Sequence, residues 1–184
     1  IYTLSLHDAL PIYHLAHIAS AAFTSGINIK EKVLGVTVDG IGDGTSVAVW
    51  IIQNNKITNL KRFDGKGSIG WFYANATEAM GWRHGSDEWK VMGLAPYGKP
   101  QKGLMNGYYP EYRNGKLIRP HNYGAFGTWE DHGSKHYHGK DSVKLSKIFK
   151  KVKPEDFAAE VQRVSEEQVF EIILPWLKKE KTNN

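Results

Sequence analysis

A chain of 184 residues with 41% hydrophobic and 12% aromatic side chains is long enough to bury one medium-sized core. The mean hydropathy of -0.45, with no apolar run near the roughly 20 residues of a spanning helix, argues against a membrane protein. The absence of cysteine excludes disulfides and thiolate metal sites, and agrees with a cytoplasmic location. The net charge of +5 raises the question of an anionic partner. Much of the positive charge falls in two tracts, Lys144 to Lys153 and Lys178 to Lys181, which read more simply as solvated surface than as a nucleic-acid site.

The first twelve residues, IYTLSLHDALPI, lack the basic, apolar and small-residue regions of a signal peptide. Over its whole length this stretch resembles one reading frame of a common short-read sequencing adapter. Residues 1–12 are therefore read as adapter-derived and set apart from the fold. Residues 13–184 are expected to be a fragment whose native N-terminus lies upstream. In that frame the first base of codon 13 belongs to the adapter, so the Tyr at position 13 is compatible with a native His, Asn or Asp. The polar end from Lys178 to Asn184 is also expected to be a cut.

Tyr13 to Phe23 (YHLAHIASAAF) is rich in Ala with apolar residues at helical spacing and reads as the tail of a helix. Val33 to Val38 has the length and continuity of a buried strand, and the Gly/Asp-dense run from Asp39 to Gly44 reads as a turn. The β-branched run Thr45 to Gln53, the Asn54-Asn55 turn and Ile57 to Phe63 complete an antiparallel meander. Ile69 to Met80 and Glu88 to Leu94 are expected helices, the second stopped by Pro96 and Gly98. Residues 101–150 show little periodicity and are expected to be a loop-rich excursion. A last helix opens at Pro154 with acids in its first turn and runs to about Lys179, where Pro175 should kink or end it. The class is thus α/β, a meander with flanking helices.

Three clusters offer chemistry. His14 and His17 lie three apart on one helix face, a spacing that can share a metal, although for the pair taken alone ordinary helix histidines are the simpler reading. Asp39, followed by Gly40, Gly42, Asp43, Gly44 and Thr45, places a carboxylate at a strand end beside backbone able to approach an anion; a plain hairpin turn has the same signature. Glu88, Lys90 and Gly93 lie in EWKVMGLAPYG, where Lys90 beside carboxylates fits either a nucleotide contact or a solvated face. His132, His136 and His138, and the aromatics between Tyr108 and Trp129, are weaker candidates for metal and sugar contacts.

Taken in order, these clusters resemble a known family. YHLAHIASAAF resembles the HHxxHAASAF motif of O-carbamoyltransferases of the nodulation and antibiotic-tailoring type. VLGVTVDGIGDGTS is similar to their VDGxGD-x-x-T turn, EWKVMGLAPYG to their EYKVMGLAPYG, and AAEVQRVSEEQVFEIIL to a later helix. The resemblance covers Tyr13 to about Pro100 and resumes near Pro154. It implies part of an actin-like ATPase (ribonuclease H-like) fold. It also implies a divalent metal, iron(II), held by position 13, His17 and Asp39, with Tyr13 standing where the family has histidine. His14 and Asp43 are then candidates for catalytic roles, and Gly40, Gly42, Thr45, Glu88, Lys90 and Gly93 for cofactor contacts. The implied reaction activates carbamoyl phosphate with ATP as carbamoyl adenylate. It then passes the carbamoyl group to a hydroxyl of a small-molecule acceptor, a sugar, nodulation factor or antibiotic. The remaining metal carboxylate, the Gly-rich segment and the adenylate-forming domain are expected beyond Asn184, so this chain alone is expected to be inactive. Another actin-like phosphotransferase, a tRNA threonylcarbamoyl transferase and a non-catalytic basic binding module stand as alternatives.

Overall fold

The computed structural model of the chain describes residues 12–123, 127–131 and 134–182. Helix α1 spans Tyr13–Thr24, and strands β1 (Val33–Gly42), β2 (Thr45–Gln53) and β3 (Lys56–Phe63) form an antiparallel sheet in the order β1-β2-β3. The meander expected from the alternating turns and β-branched runs is present. Asn54 and Asn55, with φ of 50° and 62°, close the β2–β3 hairpin, and Gln53 pairs with Lys56. Positive φ at both central residues matches the right-handed twist of the strands, and asparagine tolerates it better than most side chains. Asp43 and Gly44, at φ of 50° and 71°, do the same between β1 and β2.

β1 differs from the expectation in running on through Gly42. The turn is confined to Asp43-Gly44, because Gly42 pairs with Thr45. The ladder is interrupted between Val38 and Gly42, and this irregularity turns Asp39 and Gly40 out of the regular ladder. β2 is buried from Thr45 to Ile52, on both faces. Ala48, Trp50 and Ile52 pack with Ile18 and Ala22 of α1 on one side, while Val47 and Val49 pack with Phe63, Ile69, Tyr112 and Ile172 on the other. A strand covered on both faces has no solvent side to mark with polar residues, hence its unbroken apolar run. Gly35 lets α1 sit close: a Cβ there would lie 2.4 Å from Ile18 Cδ1.

Helix α2 (Ile69–Ala79) starts at Ser68, whose hydroxyl accepts from the Trp71 amide at 2.9 Å. α3 (Glu88–Leu94) follows, and a 3-10 turn over Ala95–Tyr97 ends it as Pro96 requires. These helices join α4 (Ser142–Phe149) and α5 (Pro154–Glu180) around a core that includes Phe72, Val91, Met105, Leu145, Phe157 and Val161. Phe72 and Phe157 are fully buried, each contributing about 1.5–3 kcal/mol by the usual transfer scale.

Residues 101–150 are less irregular than expected. Turns occupy 102–109, but two short hairpins follow, β4 (Glu111–Arg113) with β5 (Lys116–Arg119), and β6 (Gly127–Asp131) with β7 (Ser134–His138), and then α4. Strands of three to five residues are too short to show a period. The side chains of His132, His136, His138, Phe126 and Trp129 lie outside the described residues.

Pro175 does not end α5, which continues to Glu180. Proline removes the amide that would bond the carbonyl four residues back, that of Glu171. Here the Gly115 amide, at the tip of the β4–β5 hairpin, donates to that carbonyl at 2.9 Å, and the Asn114 amide donates to the Glu171 carboxylate at 3.0 Å. A distant hairpin thus satisfies the group that proline orphans, which no local rule anticipates.

Among the described residues no helix is long and apolar enough to cross a membrane.

Candidate functional site

Asp39 stands where β1 leaves its ladder, and two contacts fix its position. Its backbone carbonyl accepts from the Ser68 hydroxyl at 3.1 Å, and its Oδ1 accepts from the Gly40 amide at 2.6 Å. Gly70 in the first turn of α2 lies directly on it: a Cβ at that position would fall 2.4 Å from the Gly40 nitrogen and 2.5 Å from the Asp39 carbonyl carbon. The helix start and the strand end therefore meet backbone to backbone. Trp71 covers Gly40, its indole 3.5 Å from where a Cβ would be.

The other carboxylate oxygen of Asp39 accepts from the Tyr13 hydroxyl at 2.5 Å. This bond raises the Tyr13 hydroxyl pKa above its usual value, because ionisation would set two negative oxygens together. The Tyr13 ring meets His17 edge to face, with centroids 4.6 Å apart, and lies over Gly42, where no Cβ would fit. Position 13, His17 and Asp39 are thus brought together. As they stand they do not fit a metal centre: the phenol takes up the Asp39 oxygen, and among the described residues no three His, Asp or Glu side chains converge as a ligand set.

His14 and Asp43 hold α1 onto the β1–β2 hairpin. His14 is 2% exposed, with Nδ1 2.8 Å from the Thr37 hydroxyl and Nε2 2.8 Å from the Thr45 carbonyl. A carbonyl only accepts, so Nε2 carries the proton and Nδ1 accepts from Thr37. The Thr37 oxygen in turn accepts from the Trp50 indole at 3.2 Å. With both ring nitrogens occupied, this arrangement leaves His14 none for a reacting group. Asp43 accepts the Tyr13 amide at 2.7 Å, supplying the first turn of α1 with the acidic cap that Ile12 does not provide.

Asp39 and Gly40 also line a cleft of about 810 Å³ between the end of β1, α2, α3 and α5. The motif of α3 contributes Glu88, Trp89 and Met92, and α5 contributes Glu166 and Phe170. Two segments some 50 residues apart in sequence therefore share one cavity. Its chemical character is aromatic and acidic; among the described residues no Lys or Arg lines it. Lys90 is held instead by Asp87 at 3.1 Å, beside the Trp89 ring, and the Arg83 amide and Lys90 together keep the Asp87 carboxyl below its ordinary range. Gly93 sits on an exposed face, with open space where a Cβ would go. Of the cofactor candidates, only Gly40 and Glu88 face the cleft.

Sequence reasoning missed two residues here. His84, another lining residue, receives its orientation from Glu78 through a contact between Nδ1 and Oε1. They lie six apart across a turn with Gly81 at φ 85° and Gly85 at φ 77°. The glycine pair was the available signal: it marks a sharp reversal that returns residue 84 to the end of α2.

A profile of the carbamoyltransferase N-terminus matches residues 5–183. The chain belongs to the carbamoyltransferase family. Among its curated relatives, an uncharacterized protein of Methanocaldococcus jannaschii is 33% identical over 177 residues, 88% of this chain and 27% of that protein. Nodulation protein NolNO of Sinorhizobium fredii is 35% identical over 105 residues, 56% of this chain and 15% of its own length. Nodulation protein NolO of Bradyrhizobium diazoefficiens is 37% identical over 90 residues, 49% of this chain and 16% of the relative. The chain thus spans about a quarter of the archaeal relative and less of the nodulation proteins.

Proposed function

We propose that this chain is the part of a cytoplasmic O-carbamoyltransferase that presents the acceptor cleft. The transferred group comes from carbamoyl phosphate, is activated by ATP as carbamoyl adenylate, and ends on a hydroxyl of a sugar or antibiotic-like acceptor. The observation that supports this best is the convergence of the Asp39-Gly40 strand end and the α3 motif on one cleft. The family implies that both segments serve one reaction, and a shared cavity is what that requires. The three-stranded meander leading into helices agrees with an actin-like ATPase fold.

Within the cleft, Trp71 and Trp89 offer flat apolar faces to a sugar ring or nucleobase, and the carboxylates of Asp39, Glu88 and Glu166 offer acceptors to hydroxyl groups. Backbone contact between Gly70 and Asp39-Gly40 fixes the geometry of that wall. Iron(II) takes imidazole and carboxylate donors and, when bound, polarises oxygen. Here His17 and Asp39 are the available donors, and position 13 contributes a third only as histidine.

The test is transfer of label from carbamoyl phosphate to monosaccharide acceptors, with and without ATP, by the protein extended to the length of its relatives. ATP-dependent O-carbamoyl product is expected, with loss of at least 100-fold in Asp39→Ala. Transfer that is indifferent to ATP, or unchanged in Asp39→Ala, refutes the proposal.

A further inference from the structure

The lysine tract around α4 is arranged as a stripe. Between residues 140 and 153 there are six lysines, all exposed, and one acid, Asp141. Lys144, Lys147 and Lys151 recur at spacings of three and four, which on a helix places them on one face. α4 carries the first two, and its last turn continues through the Lys150 and Lys151 amides, which donate to the Ser146 and Ile148 carbonyls. The inner face is apolar: Leu145 is fully buried in the helical core, and Phe149 meets Phe157 with ring centroids 5.3 Å apart.

Charge on the outer face is not neutralised. Among the described residues, Lys144 alone of these lysines meets a carboxylate, that of Asp141 at 3.6 Å. Asp141 is itself 5% exposed, and its other oxygen lies 2.7 Å from His121 Nε2. The next acids, Glu155 and Asp156, open α5, and Asp156 accepts the Lys99 amide at 2.8 Å. An ordinary solvated face mixes signs, as α5 does where Arg163 meets Glu160 and Glu167. α4 instead has like charges three and four apart and no acid in its first turn, and both features oppose helix formation. Neither helps the fold; both are explained by a partner that supplies the missing negative charge.

The same segment narrows the class of partner. Residues 139–153 hold no Arg, and their one aromatic, Phe149, is turned inward. A nucleic-acid surface uses just those groups to clamp phosphates and stack bases. Lysines on flexible stems suit phosphate groups that have no fixed arrangement. Val143, 60% exposed, stands one residue before Lys144 and four before Lys147. An apolar side chain beside ammonium groups suits the boundary between lipid headgroups and acyl chains.

We propose that the α4 lysine stripe, with Val143, seats this chain on an anionic phospholipid surface. The chain then lies on the bilayer rather than spanning it, so no long apolar helix is required. α4 lies outside the lining of the acceptor cleft, so this surface is separate from that site and does not depend on what is transferred there.

Vesicle co-sedimentation of the 184-residue chain tests this. Phosphatidylcholine vesicles containing about one third phosphatidylglycerol should bind it at least tenfold more tightly than phosphatidylcholine alone, and added salt should weaken the binding. Lys144→Gln, Lys147→Gln and Lys151→Gln together should lower the affinity at least tenfold. Val143→Ser should lower it roughly threefold at unchanged charge. The control takes the same charge from the other basic tract: Lys178→Gln, Lys179→Gln and Lys181→Gln together should stay within about twofold of wild type. Glutamine is close to lysine in helix propensity, so both triple variants keep their helices. Equal binding to the two kinds of vesicle, including none to either, overturns the proposal. Equal losses in the two triple variants overturn it as well, because net charge rather than this face would then be responsible. Tighter binding to a single-stranded oligonucleotide than to the anionic vesicles would assign the stripe to nucleic acid and refute the lipid reading.

Discussion

Replacing Gly70 with alanine should destabilise the protein even though Gly70 lies in a helix. Helix propensity alone favours the change by about 1 kcal/mol. Against it, the new methyl would sit 2.4, 2.5 and 2.7 Å from the Gly40 nitrogen and the Asp39 carbonyl carbon and oxygen. These are backbone atoms at a strand end held by the Ser68 hydroxyl on the Asp39 carbonyl, so no rotamer change relieves the overlap, and overpacking of this kind costs about 1–3 kcal/mol or more. Because the overlap is with backbone, the steric cost takes the upper part of that range, about 2–3 kcal/mol, and exceeds the helix gain by about 1–2 kcal/mol, which for a chain of this size lowers Tm by roughly 2–8 °C. Gly93→Ala is the control. It lies in α3 with nothing within 4 Å of the added Cβ, so propensity acts alone and Tm should rise by roughly 1–3 °C. Differential scanning calorimetry of the two variants against wild type decides. A Gly70→Ala protein as stable as Gly93→Ala would refute the close contact between α2 and the Asp39 strand end.

Tyr13→His should create manganese(II) affinity, measured by calorimetry, at least tenfold above that of wild type. Adding Asp39→Ala should remove it, and equal affinity with Tyr and His at position 13 would count against the shared site. Alkaline stability should fall as pH climbs from about 10. Burial raises the hydroxyl pKa of Tyr73 to about 12 and that of Tyr112 and Tyr123 further. The stabilisation is therefore complete below the unfolded value near 10 and lost as pH rises from there through the folded values. Absorbance at 295 nm should show these three ionising together with unfolding rather than before it. Arg163→Met should cost about 3–5 kcal/mol by urea unfolding. It strips a two-point contact, 2.8 Å at each oxygen, from Glu160, which is fully buried; adding Glu160→Leu should recover most of the loss.

The meander was legible because its turns announce themselves through Asn54-Asn55 and Asp43-Gly44, and because β2, covered on both faces, is uniformly apolar. The helices α1, α2 and α3 followed from periodicity and from stops such as Pro96. What escaped depends on partners distant in sequence. α5 passes Pro175 only because Gly115 supplies a donor to the Glu171 carbonyl. β1 outlasts its glycines because Gly42 is still paired to Thr45. The site was legible in its membership more than in its roles. Asp39, Gly40 and Glu88 reach the cleft, whereas Lys90 and Gly93 lie off its wall and His14 and Asp43 fasten a helix to a hairpin. Helical spacing alone does not separate the buried His14 from the exposed His17, since burial depends on where the hairpin docks.

The most direct test of the account is label transfer from carbamoyl phosphate to a hydroxyl acceptor by the protein at its relatives' full length. The account predicts a product that requires ATP and is lost in Asp39→Ala. A product formed equally well without ATP, or at an unchanged rate in Asp39→Ala, would contradict it.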